Sequence, residues 1–331
     1  MPKSDWTVAA EVLAGDIAAR AEAKDLKAKI ALYEALDKAQ TGVIPSYKSK
    51  PGEAVAVALL SDVHCEERVD PEDVPGTFNI YNPSVCQKRM EQFFQRVVLL
   101  TDAHRGLTKV NTLVLAILGD IITGHLHDDQ RESNYMSPTK ALVLAEEMLS
   151  GGIQYILDNG SFDKIIIPCT VGNHGRLTHK PRAKTALDQN LEWLLYHHLS
   201  KRITDPRVEW HIASGAHVYL DICGRVCRFH HGDDVRYQGG VGGLSIPLNK
   251  AISGWNKVKV ADYDFLGHYH QCRDFGNAVV NGSIVGYGAY ALRNKCDFEE
   301  PKQAYVLIDS KRGKCCFEHI WTDWMPNGGA K

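Results

Sequence analysis

The amino-acid sequence predicts an α/β protein (α+β in some schemes): a two-sheet β-sandwich flanked by helices, preceded by an N-terminal helical segment. Three observations predict this fold. In the first half of the chain, continuous apolar runs alternate with helical stretches. In the second half, short segments alternate apolar with polar residues, as strands do. The first 40 residues are rich in Ala, Glu, Lys and Leu. Continuous apolar runs are typical of parallel strands buried on both faces, with helices covering the sheet.

Residues 1–50 are predicted to form a helical appendage and linker, followed by one domain over residues 51–331. Residues 5–40 have a high helix propensity, and the segment TGVIPSYKSKPGE interrupts that pattern with Gly and Pro. The sequence leaves open whether the appendage packs on the domain, binds a protein partner or mediates self-association.

The first half of the domain repeats a strand-then-helix order, which predicts a parallel sheet. Ser137 and Pro138 stand in helix-opening positions. The predicted strands span residues 54–60, 112–118 and 163–171, and the predicted helices span 82–105, 137–158 and 185–202.

The second half is richer in strands. Cys223 and Gly224 separate two segments in which apolar and polar residues alternate, which predicts a hairpin turn. A glycine-rich stretch leads into a helix within residues 239–257. The predicted strand segments span 208–213, 217–222, 225–231, 262–268, 278–285 and 303–320.

Composition excludes several classes of protein. The 331 residues have a formal net charge of −2, so there is no overall basic field for nucleic acid. There is no signal-peptide pattern and no apolar run of about 18 residues, so no membrane partner is expected. The nine cysteines contain no C-x-x-C, and the neighbours Cys315 and Cys316 lack metal-site spacing. We therefore expect a reduced, cytoplasmic protein.

Five short motifs place polar side chains at the ends of predicted strands: SDVH at 61–64, LGDI at 118–121, GNHG at 172–175, HHGD at 230–233 and GHYH at 267–270. Such side chains at the exits of parallel strands can converge on one point. Asp, Asn and His without cysteine favour a pair of divalent ions over a structural zinc site.

The spacing within the motifs suggests how they bind metal. Asp62 and His64 are two residues apart, as are His268 and His270, so an extended chain would place each pair on one face. The carboxylate of Asp120 can bridge two cations. The seven candidate ligands are Asp62, His64, Asp120, Asn173, His231, His268 and His270.

Two adjacent divalent ions suit the hydrolysis of phosphate esters, because they hold the phosphoryl oxygens and generate a bridging hydroxide. The leaving alkoxide then needs a proton or charge stabilisation. His174 follows Asn173 directly and would point elsewhere than the metals. It is the candidate for this catalytic role.

The order D-x-H, G-D, G-N-H, H-G, G-H-x-H resembles the calcineurin-like metallophosphoesterase superfamily over about residues 54–310. The stretches GNHGR and RFHHGDDVRYQGGVGG are similar to bacteriophage-encoded, exonuclease-like members. The resemblance implies a metallophosphoesterase-like sandwich with metals at the strand ends. The implied ligands of the first metal are Asp62, His64, Asp120 and His270, and those of the second are Asp120, Asn173, His231 and His268.

The chain departs from the family pattern at two places. Many members have an acidic residue where this chain has Gly175, so the group that orients His174 is open. Many also have a second Asp after G-D, for which this chain offers Asp128, Asp129, His125 or His127. His230 competes with His231 as a ligand, and we favour His231 because the family ligand directly precedes Gly.

The sequence thus predicts a dinuclear phosphodiesterase with two divalent ions, first Mn²⁺, with Fe, Zn, Ni and Mg as alternatives. Nucleic acid, possibly DNA, is the first-guess substrate, and the host cytoplasm is the expected location for a phage-encoded chain. Arg176 and Arg236 are candidates for binding the substrate phosphate. The alternatives are an enzyme acting on small nucleotides and a non-catalytic subunit of a replication or repair assembly.

Overall fold

The N-terminal segment and the domain are separate parts of the computed structural model, which describes residues 19–20, 22–24, 26–31, 46–47, 52–237 and 243–323. The chain divides into two units, residues 1–45 and 46–331. The described residues between 19 and 31 are helical, as the sequence predicts. The domain division at residue 50 and a partner role for residues 1–50 stay predictions, and most of that segment lies outside the described residues.

The three predicted apolar runs form the centre of a six-stranded sheet, the first sheet. Four of its strands are parallel, and the last two strands of the chain add an antiparallel edge. In spatial order the strands are β12 (Gly313–Trp321), β11 (Lys302–Asp309), β2 (Glu53–Leu60), β3 (Lys109–Ile117), β4 (Lys164–Cys169) and β5 (Val208–Ile212).

The second sheet also has six strands and mixes parallel with antiparallel pairs. The predicted hairpin is confirmed, and its turn residues Cys223 and Gly224 have φ angles of 56° and 79°, as a two-residue hairpin turn requires. In spatial order the strands are β1 (Ser46–Tyr47), β6 (Val218–Ile222), β7 (Arg225–His230), β8 (Tyr263–Leu266), β10 (Ala278–Val280) and β9 (Arg273–Asp274).

Helices cover the outer faces of both sheets, so the predicted fold class is confirmed. Besides a short 3-10 helix at Pro71–Asp73, the helices of the domain in its described residues are α1 (Pro83–Arg105), α2 (Asp128–Ser133), α3 (Pro138–Asn159), α4 (Leu191–Arg202), α5 (Ser245–Trp255) and α6 (Ala289–Arg293). Helices α1, α3 and α4 pack on the first sheet, and α5 packs on the second.

Strand β2 shows how the sequence places the first sheet between two apolar cores. Val55, Val57 and Leu59 point into the core between the two sheets, where they meet residues of β6, β7 and β8. The alternate residues Ala56, Ala58 and Leu60 join the core beneath the helices. A strand buried on both faces needs apolar residues at every position, which explains the uninterrupted run.

Two predicted elements are shorter than expected. The helix predicted from residue 185 begins at Leu191, because the Asn190 side chain accepts a hydrogen bond from the Glu192 backbone N–H at 2.9 Å and caps the helix there. The strand predicted over 278–285 ends at Val280, and Ser283 then turns to donate to the Asp62 carbonyl at 3.0 Å. No helix in the described part of the chain is long and apolar enough to cross a membrane.

Candidate metal centre

The five motif loops leave the carboxyl ends of β2, β3, β4, β7 and β8, and the structure holds them together through backbone hydrogen bonds. The N–H of Val63 donates to the Asp120 carbonyl at 2.8 Å, which joins the loops after β2 and β3. The N–H of His268 donates to both carboxylate oxygens of Asp62 at 3.0 Å, which joins the two sheets. The ligand-bearing loops therefore form one connected unit.

Asp62, His64 and His270 form the first ligand group, with one potential ligand atom from each residue within 4.8 Å of the others. The Nε2 atom of His270 lies 3.4 Å from Oδ1 of Asp62. Both ring nitrogens of His64 are buried without a hydrogen-bond partner among the described residues. The Oε2 atom of Glu67 lies 3.8 Å from Nδ1 of His64.

Asp120, His231 and His268 form the second ligand group, again within 4.8 Å. The Nε2 atom of His231 lies 3.0 Å from Oδ2 of Asp120 and 3.1 Å from Oδ1 of Asn173. Asn173 thus adds its side-chain oxygen to this group. The two groups separate His268 from His270, and Asp120 belongs to the second group alone, whereas the family resemblance implies that it bridges both.

The structure distinguishes His231 from its neighbour His230. His231 points toward Asp120, and its Nδ1 contacts the Leu118 carbonyl at 2.7 Å, which fixes the ring. His230 points the other way, toward Asp264 and the ring of Trp255. Successive residues of a strand face opposite sides, so only one of the two can reach the metal ligands.

The backbone at the candidate ligands is left-handed rather than extended. Eight non-glycine residues in the described chain have clearly positive φ, and five of them are Asp62, His64, Asp120, His268 and His270. The argument from an extended i, i+2 face was therefore wrong, although the structure does bring the side chains of these residues close together. Non-glycine residues in this conformation cost about 1–3 kcal/mol each and concentrate at functional sites.

Two glycines allow the ligand loops to approach. A Cβ at Gly119 would clash with the backbone of Gly172, and a Cβ at Gly172 would clash with the carboxylate of Asp120. Gly119 also has a φ of 87°, which few other residues adopt. The short distance between the loops after β3 and β4 thus depends on the absence of side chains at both positions.

Without metal, imidazoles partly balance the buried carboxylates. Burial opposes the charged forms, but the hydrogen bonds and charges of the Asp120–His231 and Asp62–His270 pairs outweigh it. The pKa of each carboxyl group is therefore lowered, and the pKa of each histidine is raised. Burial lowers the pKa of His64 to about 3 and that of His268 to about 4, with smaller contributions from His174 and His231 respectively.

This donor set fits divalent metal ions. Among the described residues, the buried imidazole of His64 has no hydrogen-bond partner at either nitrogen, and such groups in native proteins call for an explanation such as an ion. Metals bind neutral imidazoles and ionised carboxylates, so an ion at either group would displace a proton from His231 or His270, whose pKa values are raised. Asp62, His64 and His270 would hold one ion, and Asp120, Asn173, His231 and His268 the other.

A buried glutamate that the sequence analysis missed supports the second group. Glu192, at the start of α4, accepts hydrogen bonds from the N–H groups of Ile121 at 2.6 Å and Gly172 at 2.7 Å. Burial and the charge of Asp120 raise the pKa of Glu192 to about 7 despite these bonds. The carboxylate therefore joins the loops that follow β3 and β4.

The same helix explains the glycine at position 175. A Cβ at Gly175 would clash with the Asn190 side chain and lie 2.8 Å from Cγ of Glu192. No larger side chain fits while α4 begins at this place. Position 175 therefore cannot hold an acidic side chain in this structure.

The side-chain amide of Gln130, in α2, contacts the imidazole of His174. Its Oε1 atom accepts from the backbone N–H groups of Leu126 and His127, both at 3.1 Å, which turns the amide nitrogen toward the imidazole. That nitrogen lies 3.0 Å from Nδ1 of His174, and the Thr123 carbonyl lies 2.9 Å from the same atom. Asp128, Asp129 and His127 are exposed, and His125 is half-buried.

A cavity of about 250 Å³ adjoins the second group and presents basic side chains. Arg176 lines it and donates three of its five N–H groups to the backbone carbonyls of Asn173, Thr178 and His179, which leaves two for a ligand. Arg182 and Lys184 are exposed and also line the cavity. Arg236 is exposed, and its contact with substrate stays a prediction.

No protein-family model and no curated protein matches the chain. It is similar to a Streptococcus pneumoniae protein described as a predicted phosphoesterase, with 12% identity, a TM-score of 0.33 and coverage of 82% of this chain and 94% of the other. It is also similar to a 5′-nucleotidase structure from Staphylococcus aureus (11% identity, TM-score 0.34, coverage of 81% and 54%). A 5′-nucleotidase precursor from Thermus thermophilus has 10% identity, a TM-score of 0.31 and coverage of 80% and 54%.

The chain thus spans about half the length of the two nucleotidases that it matches. At these identities and TM-scores, the chemistry of the site has to be inferred from this chain's own residues.

Replacing Asp120 by Asn is expected to weaken metal binding at both groups. The change removes a buried charge next to His231 and lowers the negative potential at His64. Equilibrium dialysis against Mn²⁺ with elemental analysis should give about two ions per chain for the wild type and fewer than one for Asp120→Asn. The matched control is Asp128→Asn, an exposed position on α2, which should bind as many Mn²⁺ ions per chain as the wild type. If Asp120→Asn also bound the wild-type number of ions, the assignment would be contradicted.

Proposed function

We propose that this protein is a metal-dependent phosphoesterase of the calcineurin-like type that hydrolyses phosphodiester bonds. The observation that supports this most is the pairing of two ligand groups, each with one carboxylate and two imidazoles, at the joined ends of two sheets. Two adjacent ions would supply Lewis-acid charge and an activated water. Mn²⁺ is the first candidate metal, with Fe, Zn, Ni and Mg as alternatives.

His174 is the proposed catalytic acid because its ring stays fixed in both proton states. When neutral with its proton on Nε2, the ring accepts at Nδ1 from the Gln130 amide at 3.0 Å. When doubly protonated, it donates from Nδ1 to the Thr123 carbonyl at 2.9 Å. From the doubly protonated ring, Nε2 can release its proton to a leaving oxygen. This leaves a neutral ring that still donates from Nδ1 to the Thr123 carbonyl, so the imidazole keeps its position until Nε2 regains a proton from water.

The proposed phosphate position lies between His174 and the cavity beside the second group. Arg176 has two N–H groups left for phosphate oxygens, and Arg182 and Lys184 add positive charge at the rim. Asp233 and Asp234 also line this cavity, so its lining carries charges of both signs.

The first-guess substrate is a nucleic-acid end, and small nucleotides are the alternative. A cavity of about 250 Å³ is below the usual range for drug-sized ligands, so it suits one terminal nucleotide rather than a length of duplex. The net charge of −2 also disfavours a broad duplex-binding surface. Both properties agree equally well with a free nucleotide diester.

A substrate panel tests the proposal and separates these alternatives. Single-stranded DNA, double-stranded DNA, cyclic nucleotides, nucleoside monophosphates and bis(p-nitrophenyl) phosphate should be assayed with Mn²⁺, Mg²⁺, Ni²⁺ and Zn²⁺. We expect diester hydrolysis that depends on metal and release of mononucleotides from DNA ends. Activity on small diesters alone would reject the nuclease, and inactivity on every diester would reject the proposal.

Replacing His174 by Ala should lower kcat about 10²-fold while metal content stays at the wild-type level, the usual effect of losing a general acid. Replacing Gln130 by Ala should lower kcat about 10-fold with KM unchanged, because the ring loses one of its two Nδ1 partners. The control is Gln154→Ala, which removes an exposed amide of α3. Loss of metal from His174→Ala would make this residue a ligand instead.

A further inference from the structure

A second cluster of potential metal ligands lies outside the site described above. The Nε2 atom of His104 is 2.7 Å from Oε1 of Glu318, and Sγ of Cys316 is 3.1 Å from the same oxygen and 3.8 Å from Nε2. One potential ligand atom from each of these residues lies within 4.8 Å of the other two. The three residues come from the last turn of α1 and from the edge strand β12, and are named here the helix–strand site.

The fold directs all three side chains to one point. Cys316 and Glu318 are two residues apart on β12, so they share the face that α1 covers. The ring of His104 stacks on Tyr305, the cross-strand neighbour of Glu318, with centroids 5.9 Å apart and an interplanar angle of 7°. The Tyr305 hydroxyl is itself 3.0 Å from Oγ1 of Thr101, one turn earlier on α1. The imidazole is therefore held in position by packing.

The donor distances are close to those around a tetrahedral ion. Bond lengths of about 2.0–2.3 Å to N, O and S place neighbouring donors about 3.3–3.6 Å apart. The observed separations of 2.7, 3.1 and 3.8 Å differ from these by up to about 0.7 Å, which small side-chain rotations can supply. The His104 side chain is 16% exposed and that of Glu318 is 37% exposed, so the cluster is open to solvent on one side.

We propose that the helix–strand site binds one borderline-soft divalent cation, with Zn²⁺ as the natural candidate, through His104, Cys316 and Glu318. A thiolate, an imidazole and a carboxylate are a donor set that zinc accepts, and the open side leaves a position for water. This set differs from the two groups at the strand ends, which contain no cysteine. The C-terminal end of a helix also favours a positive charge. The bound ion would tie α1 to the edge of the first sheet.

The alternative to a metal site is a simple hydrogen bond from His104 to Glu318, with the Cys316 thiol nearby but bound to no metal. That reading explains the 2.7 Å contact and requires no ion. The two readings differ in whether Cys316 can act as a metal ligand, so the test must report on sulfur.

Co²⁺ is the appropriate probe, because a thiolate bound to Co²⁺ gives an intense near-ultraviolet charge-transfer band that nitrogen and oxygen ligands do not give. The full chain, kept reduced with a phosphine and dialysed free of metal, should be titrated with Co²⁺. Circular dichroism should confirm that the protein is folded. We expect one saturable band, displaced by Zn²⁺. Co²⁺ bound only at the strand-end groups would give no such band, so this result does not depend on the proposed phosphoesterase activity.

Three variants complete the test. Cys315→Ser changes the adjacent, exposed cysteine and should keep the band, whereas Cys316→Ser should abolish it. His104→Gln retains a donor for Glu318 without the imidazole and should weaken Co²⁺ binding at least 10-fold. Absence of the band in the folded wild type, or its retention in Cys316→Ser, would overturn the proposal.

Discussion

The burial of two carboxylates at the carboxyl ends of neighbouring strands is the constraint on which the rest of this structure depends. Asp62 and Asp120 are 0% and 1% exposed, and a buried charge needs a compensating partner. His270 and His231 supply that partner when no metal is present. Divalent ions would satisfy both carboxylates and also the nitrogens of His64, which have no hydrogen-bond partner within the described part of the chain.

Much of the surrounding structure holds these charges in place. Left-handed backbone at five candidate ligands and the close approach of Gly119 to Gly172 are both costly, and the neighbouring contacts stabilise them. Glu192 joins the loops after β3 and β4, and the His268 N–H joins the second sheet to Asp62. Rigid loops of this kind keep metal ligands in position before any metal binds, which reduces the reorganisation that binding requires.

The sequence predicted the fold class and predicted that the candidate ligands would lie together, because both follow from local patterns. Apolar runs identify buried strands, and polar residues at the ends of parallel strands meet at one edge. Gln130 and Glu192 could not be found in this way. A glutamine in a short helix and an acidic residue in a first helical turn are usually exposed, and their contacts with His174 and Gly172 exist only after the helices pack. His104 and Cys316 are similarly 212 residues apart in sequence.

The most direct measurement of the central claim is anomalous X-ray scattering at the manganese edge from crystals of the protein grown with Mn²⁺. The account predicts two peaks: one bounded by Asp62, His64 and His270, and the other bounded by Asp120, Asn173, His231 and His268. Their separation should be about 3.5–4 Å, as in two-metal hydrolases. A single peak, or peaks away from these residues at saturating Mn²⁺, would contradict it.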